Sequence, residues 1–378
     1  MIYFDNASTT KMSDEVIEYM YDFMKSGFAN PSSLHSLAVG VEKEITKARK
    51  AVADVIKASP DEIYFTSGGT EANNTAILGV AEAYKKRGNR VITMSIEHPS
   101  VTDSYKELEK RGFEVITLDV DSKGYVSLND LEEAVNEDTI LVSIMYVNNE
   151  IGTVQDIEKI NEIIKKKNPN CIFHSDCVQA FCKHHINCKN ADIITMSGHK
   201  IQSAKGVGAM YIKKGVRVNN LHFGGGQEKG FRPGTENTYG IAAMGKAALI
   251  ADKNIDSNFE KVRSVKNTLL KITDELEGVY VNGDAENGSP YILNLSFENV
   301  KGEVLLHALE NDEIYVATGS ACSSRVKEKK KLVDYVMDGR GGSAVRFSFS
   351  CDNTVDEAER VVESLKKHVP VLRKFVPR

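Results

Sequence analysis

Residues 191–208 read ADIITMSGHKIQSAKGVG. An apolar, strand-like run ends in Ser197-Gly198-His199-Lys200, and a glycine-bearing turn follows. A lysine at the end of a buried strand, beside a histidine and small residues, suits a carbonyl-condensing amine. Desolvation or a nearby cation lowers the ammonium pKa and frees the nucleophile. On this stretch alone, an ordinary surface lysine after a strand is an equal alternative.

The same pattern repeats outward from Lys200. Strands are expected at Ile63–Phe65, Val91–Met94, Glu114–Leu118, Ile140–Val147, Cys171–Asp176, Asp192–Met196 and Gly208–Ile212, with helices such as Ala72–Tyr84 and Asp156–Lys167 between most of them. Alternating strands and helices predict a mainly parallel sheet covered by helices, an α/β fold. Ligands of such sheets bind beyond the carboxyl ends of the strands. His98, Asn149, Asp176 and Lys200 all fall there, which predicts one shared pocket. From about Thr238 the alternation gives way to helix up to about Leu276. Tyr291–Phe297, a helix from Glu303, Ile314–Ala317, Ala344–Ser350 and a helix from Val355 follow. A smaller α+β domain is expected, formed by residues 1–11 and 256–378 beside a large domain of residues 12–255.

Three segments supply chemistry for the pocket. Phe65-Thr66-Ser67-Gly68-Gly69-Thr70-Glu71-Ala72-Asn73 joins a strand to a helix through small residues. Free backbone N–H groups and the helix dipole make such a point an anion site, although a glycine pair before a helix is more often a plain turn. In His174-Ser175-Asp176-Cys177-Val178-Gln179, an aspartate at a strand end can hold a protonated ring nitrogen such as the pyridinium of pyridoxal phosphate (PLP). A lone Asp there more often caps the next helix. His98, in Glu97-His98-Pro99-Ser100, can lie over an aromatic cofactor or move protons near neutral pH.

Taken together, SGGTEANN, EHPS, VNNEIG, HSDCVQA, SGHK, RPGTEN and GSACSS resemble the cysteine desulfurases of the NifS/IscS type, fold-type I PLP enzymes of the class V aminotransferase family. The resemblance runs from Tyr3 to Ser348, with the motifs in the family's order. It implies PLP bound to Lys200, with Asp176 on the ring nitrogen, Gln179 on the phenolic oxygen and His98 over the ring. Gly69, Thr70, Ser197 and His199 match phosphate ligands, and Thr235 matches one that the family takes from a partner subunit, hence a homodimer. Asn149 and Arg346 match the groups that hold the substrate. Cys322, in Gly319-Ser320-Ala321-Cys322-Ser323-Ser324-Arg325, matches the persulfide-forming cysteine. The implied activity converts L-cysteine to L-alanine and passes sulfur to an acceptor protein, an iron–sulfur scaffold or a tRNA-thiolation enzyme. Two departures stand out: SGHK replaces the commoner SAHK, and SSRVKEKKKLVDYVMDGRGG does not match the family's usual continuation after Cys322.

Composition fits an enzyme of this kind. The 378 residues suffice for two domains and a large core. A net charge of −5 gives no support to nucleic-acid binding. No basic-plus-apolar leader and no membrane-spanning apolar run are visible, so a cytoplasmic location is expected. Cys171, His174, Cys177, Cys182, His184, His185 and Cys188 crowd into one window that resembles a zinc site. In an extended strand, Cys171 and Cys177 would face away from His174, so no metal is expected. A zinc- or thiol-dependent binding protein is the alternative from another class, and a selenocysteine lyase or other PLP lyase is the alternative within PLP chemistry.

Overall fold

The computed structural model describes residues 1–318 and 336–375. Its strands are β1 (Ile2–Tyr3), β2 (Ile63–Thr66), β3 (Arg90–Met94), β4 (Glu114–Leu118), β5 (Thr139–Ser143), β6 (Ile172–Asp176), β7 (Ile193–Ser197), β8 (Gly208–Ile212), β9 (Val279–Asn282), β10 (Ile292–Phe297), β11 (Ile314–Tyr315) and β12 (Ala344–Ser348). The helices are α1 (Asp14–Ser26), α2 (Ser36–Val55), α3 (Gly69–Tyr84), α4 (Pro99–Lys110), α5 (Leu128–Ala134), α6 (Ile157–Lys167), α7 (Thr238–Lys253), α8 (Ile255–Leu270), α9 (Ile272–Glu275), α10 (Gly302–Glu310) and α11 (Val355–Leu372).

Seven strands form the main sheet in the order β2-β8-β7-β6-β5-β3-β4. β5, β6, β7 and β8 are short runs buried at every position. Helices cover both faces, which is why these strands read as continuous apolar runs. One apolar core lies under α3 and α4, with Ala76, Ile77, Val101 and Tyr105 packed on Val91, Leu141 and Ile193. A second core fills the opposite face and runs on into the smaller sheet.

The sheet is parallel from β4 through β7. β8 is the exception, running antiparallel to both β7 and β2. An antiparallel strand buried on both faces carries the same apolar run as a parallel one, so the sequence did not distinguish them. Gly208 opens β8 where a side chain has no room: a Cβ there would lie 2.7 Å from Gly68 Cα. The expected strand Ile140–Val147 ends as a strand at Ser143. Beyond it the Ile144 and Tyr146 amides still donate to the His174 and Asp176 carbonyls. The long helical stretch after Thr238 is broken at Asn254 and Lys271.

The smaller sheet has the antiparallel order β12-β10-β9, and its register sets Arg346 opposite Asn294. The N-terminal segment ties it to the main sheet. Ser348 N–H donates to Phe4 O on one side, and Thr10 N–H donates to His199 O on the other. Residues 5–9 are thereby laid along the carboxyl ends of β6 and β7.

Candidate active site

Lys200 ends the short turn after β7. Its Nζ donates to Ala7 O at 2.5 Å and to Ser8 O at 2.7 Å. Burial lowers its pKa to about 8, helped by Arg346 and opposed by Asp5, Asp176 and Glu150. Near neutral pH a useful fraction is therefore the free amine, as a condensing lysine requires.

Asp176 closes β6 and is buried. Its Oδ1 accepts the Val178 amide at 2.9 Å, the local turn that a capping aspartate makes. Its Oδ2 accepts Asn73 Nδ2 at 2.7 Å. Asn73 is in turn fixed: its other amide hydrogen goes to Ser100 Oγ at 2.9 Å, and its Oδ1 accepts Thr195 Oγ1 at 2.5 Å. With that hydroxyl proton committed, His174 Nε2 donates to Thr195 Oγ1 at 3.2 Å, and its Nδ1 accepts Ser143 Oγ at 2.7 Å. Burial holds this ring neutral, with a pKa lowered to about 3. Every member of the network is satisfied by a dipole, and among the described residues Asp176 has no ion-pair partner.

His98 caps α4 through its ring, and Pro99 fills the first helical position, where its missing N–H has no intrahelical partner to lose. Nδ1 accepts the Ser100 amide at 3.1 Å and lies 2.8 Å from Ser100 Oγ. The proton of the neutral ring is thus on Nε2, at the exposed mouth of the site. Desolvation lowers the pKa of this histidine, against the pull of Asp176. Behind it, Glu97 is buried with Oε1 accepting the Met145 amide at 2.6 Å. Burial and Asp176 raise the Glu97 pKa well above the usual carboxylate range.

α3 starts at Gly69, after Gly68 at φ 154°, earlier than the apolar periodicity indicated. The first amides of a helix have no intrahelical partners. Ser197 Oγ is buried with no hydrogen-bond partner among the described residues. His199 Nδ1 lies 3.2 Å from Thr9 Oγ1, and burial beside Lys200 and Lys205 lowers its pKa to about 4. An orphaned hydroxyl, a helix N-terminus and an unpaired buried carboxylate fit the phosphate and the ring nitrogen of PLP.

Arg346 is buried, and its fork is taken. One terminal nitrogen donates to Asn149 O and Glu150 Oε1, both at 3.0 Å. The other donates to Asp5 Oδ1 at 3.0 Å and Ser8 Oγ at 2.7 Å. The expected free fork is therefore occupied by two carboxylates. Asn149 contributes its backbone carbonyl here, while its side chain donates to Glu150. Gln179 Nε2 donates to Ala7 O at 2.9 Å. Thr235 follows Arg232, which pairs with Glu71 of α3 at 2.8 Å. Cys322 lies outside the described residues.

Asn73, Ser100, Thr195, Glu97, Asp5 and Glu150 were not singled out from the sequence. Asn73, Glu97, Ser100 and Glu150 stand inside quoted motifs and Thr195 inside the stretch 191–208, which was the only signal available. Burial keeps the thiols of the crowded window protonated: it raises the pKa of Cys171 to about 12 and pushes Cys177 and Cys182 up as well.

Comparisons with known proteins point to one family. The family model for aminotransferase class-V matches residues 2–361. A protein of Clostridium botulinum named cysteine desulfurase IscS is 41% identical, over 100% of this chain and 96% of that protein. A NifS/IcsS protein homolog of Lactobacillus delbrueckii subsp. bulgaricus is also 41% identical, over 96% of this chain and 95% of its own. Among solved structures, a NifS-like protein superposes with a TM-score of 0.92 at 36% identity, covering 98% of this chain and 99% of its own. SspA in complex with cysteine gives 0.80 at 31% identity, over 93% of this chain and 99% of its own. A family match that spans nearly the whole chain, with full-length relatives at about 40% identity and solved structures of the same fold, places this protein in the aminotransferase class-V family.

Proposed function

We propose that this chain is a PLP-dependent cysteine desulfurase, which converts L-cysteine to L-alanine and carries the sulfur away as a persulfide on Cys322. The observation that carries the reading is the convergence on one pocket of a depressed lysine amine, an aspartate without a cation and a buried arginine. Full-length similarity to cysteine desulfurases fixes the reaction type.

When bound, PLP supplies an electron sink for the substrate's Cα. The chain's residues do the rest. Lys200 provides the anchoring amine. The amides at Gly69 and Thr70, the Ser197 hydroxyl and His199 hold the phosphate, with Thr235 reaching the site of the partner subunit. Asp176 would keep the ring nitrogen protonated, and Gln179 would support the ring oxygen. His98 would face the ring and offer Nε2 for proton movement. Asn149 and Arg346 hold the substrate carboxylate, which must first displace Glu150 or Asp5 from the guanidinium. The Cys322 thiol takes the substrate sulfur, so that cysteine plus thiol become alanine plus persulfide. An acceptor protein, such as an iron–sulfur scaffold or a tRNA-thiolation enzyme, then receives the sulfur.

A homodimer is part of the proposal. Thr235 matches a ligand that the family takes from a partner subunit, Phe28, Leu34 and Phe223 are exposed apolar residues, and closed twofold dimers are the commonest soluble assembly. Residues 12–255 form the proposed large domain, and residues 1–11 with 256–378 the small one. No helix among the described residues is long and apolar enough to cross a membrane, and the cytoplasm is the proposed location. The deciding experiment incubates the protein with cysteine and a reductant and measures alanine and sulfide together. Equal release of both supports the reading, and sulfide with pyruvate in place of alanine would replace it with an eliminating lyase.

A further inference from the structure

Lys183 is a buried lysine to which the proposed chemistry assigns no task. Its Nζ donates to Gln179 Oε1 at 3.1 Å. Gln179 Nε2 donates to Ala7 O, and Ala7 O also accepts Lys200 Nζ. One continuous chain therefore runs Lys183–Gln179–Ala7–Lys200. An ammonium has only donors and a carbonyl only accepts. The two ends of the chain thus settle the sense of the Gln179 amide: oxygen toward Lys183, NH2 toward Ala7 and Lys200. Lys183 and Lys200 also line the same cavity of about 60 Å³, together with Cys182, Gln202, Tyr291 and Cys351.

We infer that Lys183 is a positioning residue for Lys200: it anchors the Gln179 amide beside the reactive amine, in the cavity that both lysines line. Several charged groups act on the pair. Around Lys200 they are Arg346, which disfavours the ammonium, and Asp5, Asp176 and Glu150, which favour it. Around Lys183 they are Lys200 and the thiols of Cys182 and Cys351, while the Tyr291 ring lies 5.5 Å from Nζ. Burial and Lys200 bring the Lys183 pKa down to about 7, so Lys183 gives up its proton before Lys200, which titrates near 8, and acts on it through the Gln179 hydrogen bonds. Loosening Gln179 removes a competing donor from Ala7 O. That change favours protonated Lys200 and moves its titration upward.

The inference rests on the reading of Lys200 as the reactive amine, and it is tested on cofactor-free protein so that the two can fail separately. Acetic anhydride at limiting concentration labels amines across a pH series, and peptide mass spectrometry reports the midpoint at Lys200. Lys183→Met should raise that midpoint by roughly half a unit or more. Lys183→Arg, which keeps a charge and donors, should leave it near the wild-type value. Circular dichroism checks that each variant is folded. If Lys183→Met is not folded, Gln179→Leu cuts the same chain one residue closer to Lys200 and carries the same expectation. An unchanged midpoint in the folded methionine or leucine variant, or an arginine variant that shifts as far as methionine, overturns the inference. Failure of wild-type protein to load PLP would instead count against the proposed function and leave the Lys200 midpoint interpretable.

Discussion

Asp176 and Arg346 are buried charges of opposite sign that both act on Lys200, and the fold holds them in opposite ways. Asp176 is held by dipoles: an amide from its own turn and the Asn73 side chain. Arg346 is held by two carboxylates, Asp5 and Glu150. Dipoles hold a carboxylate in place without neutralising it, so Asp176 is left to pair with a cation that arrives from outside. Two carboxylates more than neutralise a guanidinium, so Arg346 must give one up to accept another. The first is a site made for a permanent occupant, and the second is a site made for exchange.

The largest effect is expected midway between them. Lys200→Ala should abolish turnover, and borohydride reduction of the PLP-loaded wild type should leave a pyridoxyl group on the peptide carrying Lys200. A label on Lys205 would reassign the anchor. Next is Asp176→Asn, which preserves shape and removes the charge. Alanine release should fall by about 100-fold or more, because the electrostatic support is lost where charge develops. A fall of only a few-fold would show that the carboxylate is structural.

The exchange side of the comparison is tested by a pair of substitutions. Glu150→Gln should lower KM for cysteine by roughly 3- to 10-fold with little change in stability, since the competing carboxylate is weakened. Arg49 and Glu228 form a bidentate pair at 2.7 Å that includes neither Lys200 nor Arg346, and Glu228 also accepts the Phe65 amide. Glu228→Ala should cost about 3 kcal/mol in urea unfolding and leave KM alone. If both variants change stability and neither changes KM, the Arg346 pairing is scaffolding.

The smallest effect concerns the dipole network. His174 has its folded pKa lowered to about 3, against about 6.5 in an unfolded chain. Between those values only the unfolded state takes up the proton, so the stability present above about pH 6.5 is lost as the pH falls. His174→Gln should flatten the fall in unfolding free energy between pH 7 and pH 5, measured by urea unfolding, by up to about 1.4 kcal/mol per pH unit. Parallel curves for variant and wild type would mean the ring is not held neutral.

Lys200, Asp176 and His98 were legible because each stands at a strand end inside a contiguous run, and strand ends face the pocket in a sheet of this kind. The Asn73 bridge was not, since its partners Ser100 and Asp176 lie 27 and 103 positions away. The occupied fork of Arg346 was hidden for the same reason, with Asp5 341 positions away. The reversed direction of β8 was invisible because burial on both faces erases the difference between parallel and antiparallel neighbours. Lys183 stands among the cysteines and histidines of the crowded window but was not singled out there, and only its hydrogen-bond chain sets it apart.

Gly208 gives the fold a vulnerability of a particular kind. Its missing side chain lets β8 press against Gly68, one residue before the helix that the phosphate is proposed to meet. Gly208→Ala would displace that loop without touching any residue proposed to hold PLP or cysteine. Such an allele would lose its cofactor on dilution, yet regain activity when the supply is raised, because mass action refills a weakened site. The position is thus where a vitamin-dependent phenotype would arise, curable by nutrition and silent in an assay run with cofactor in excess.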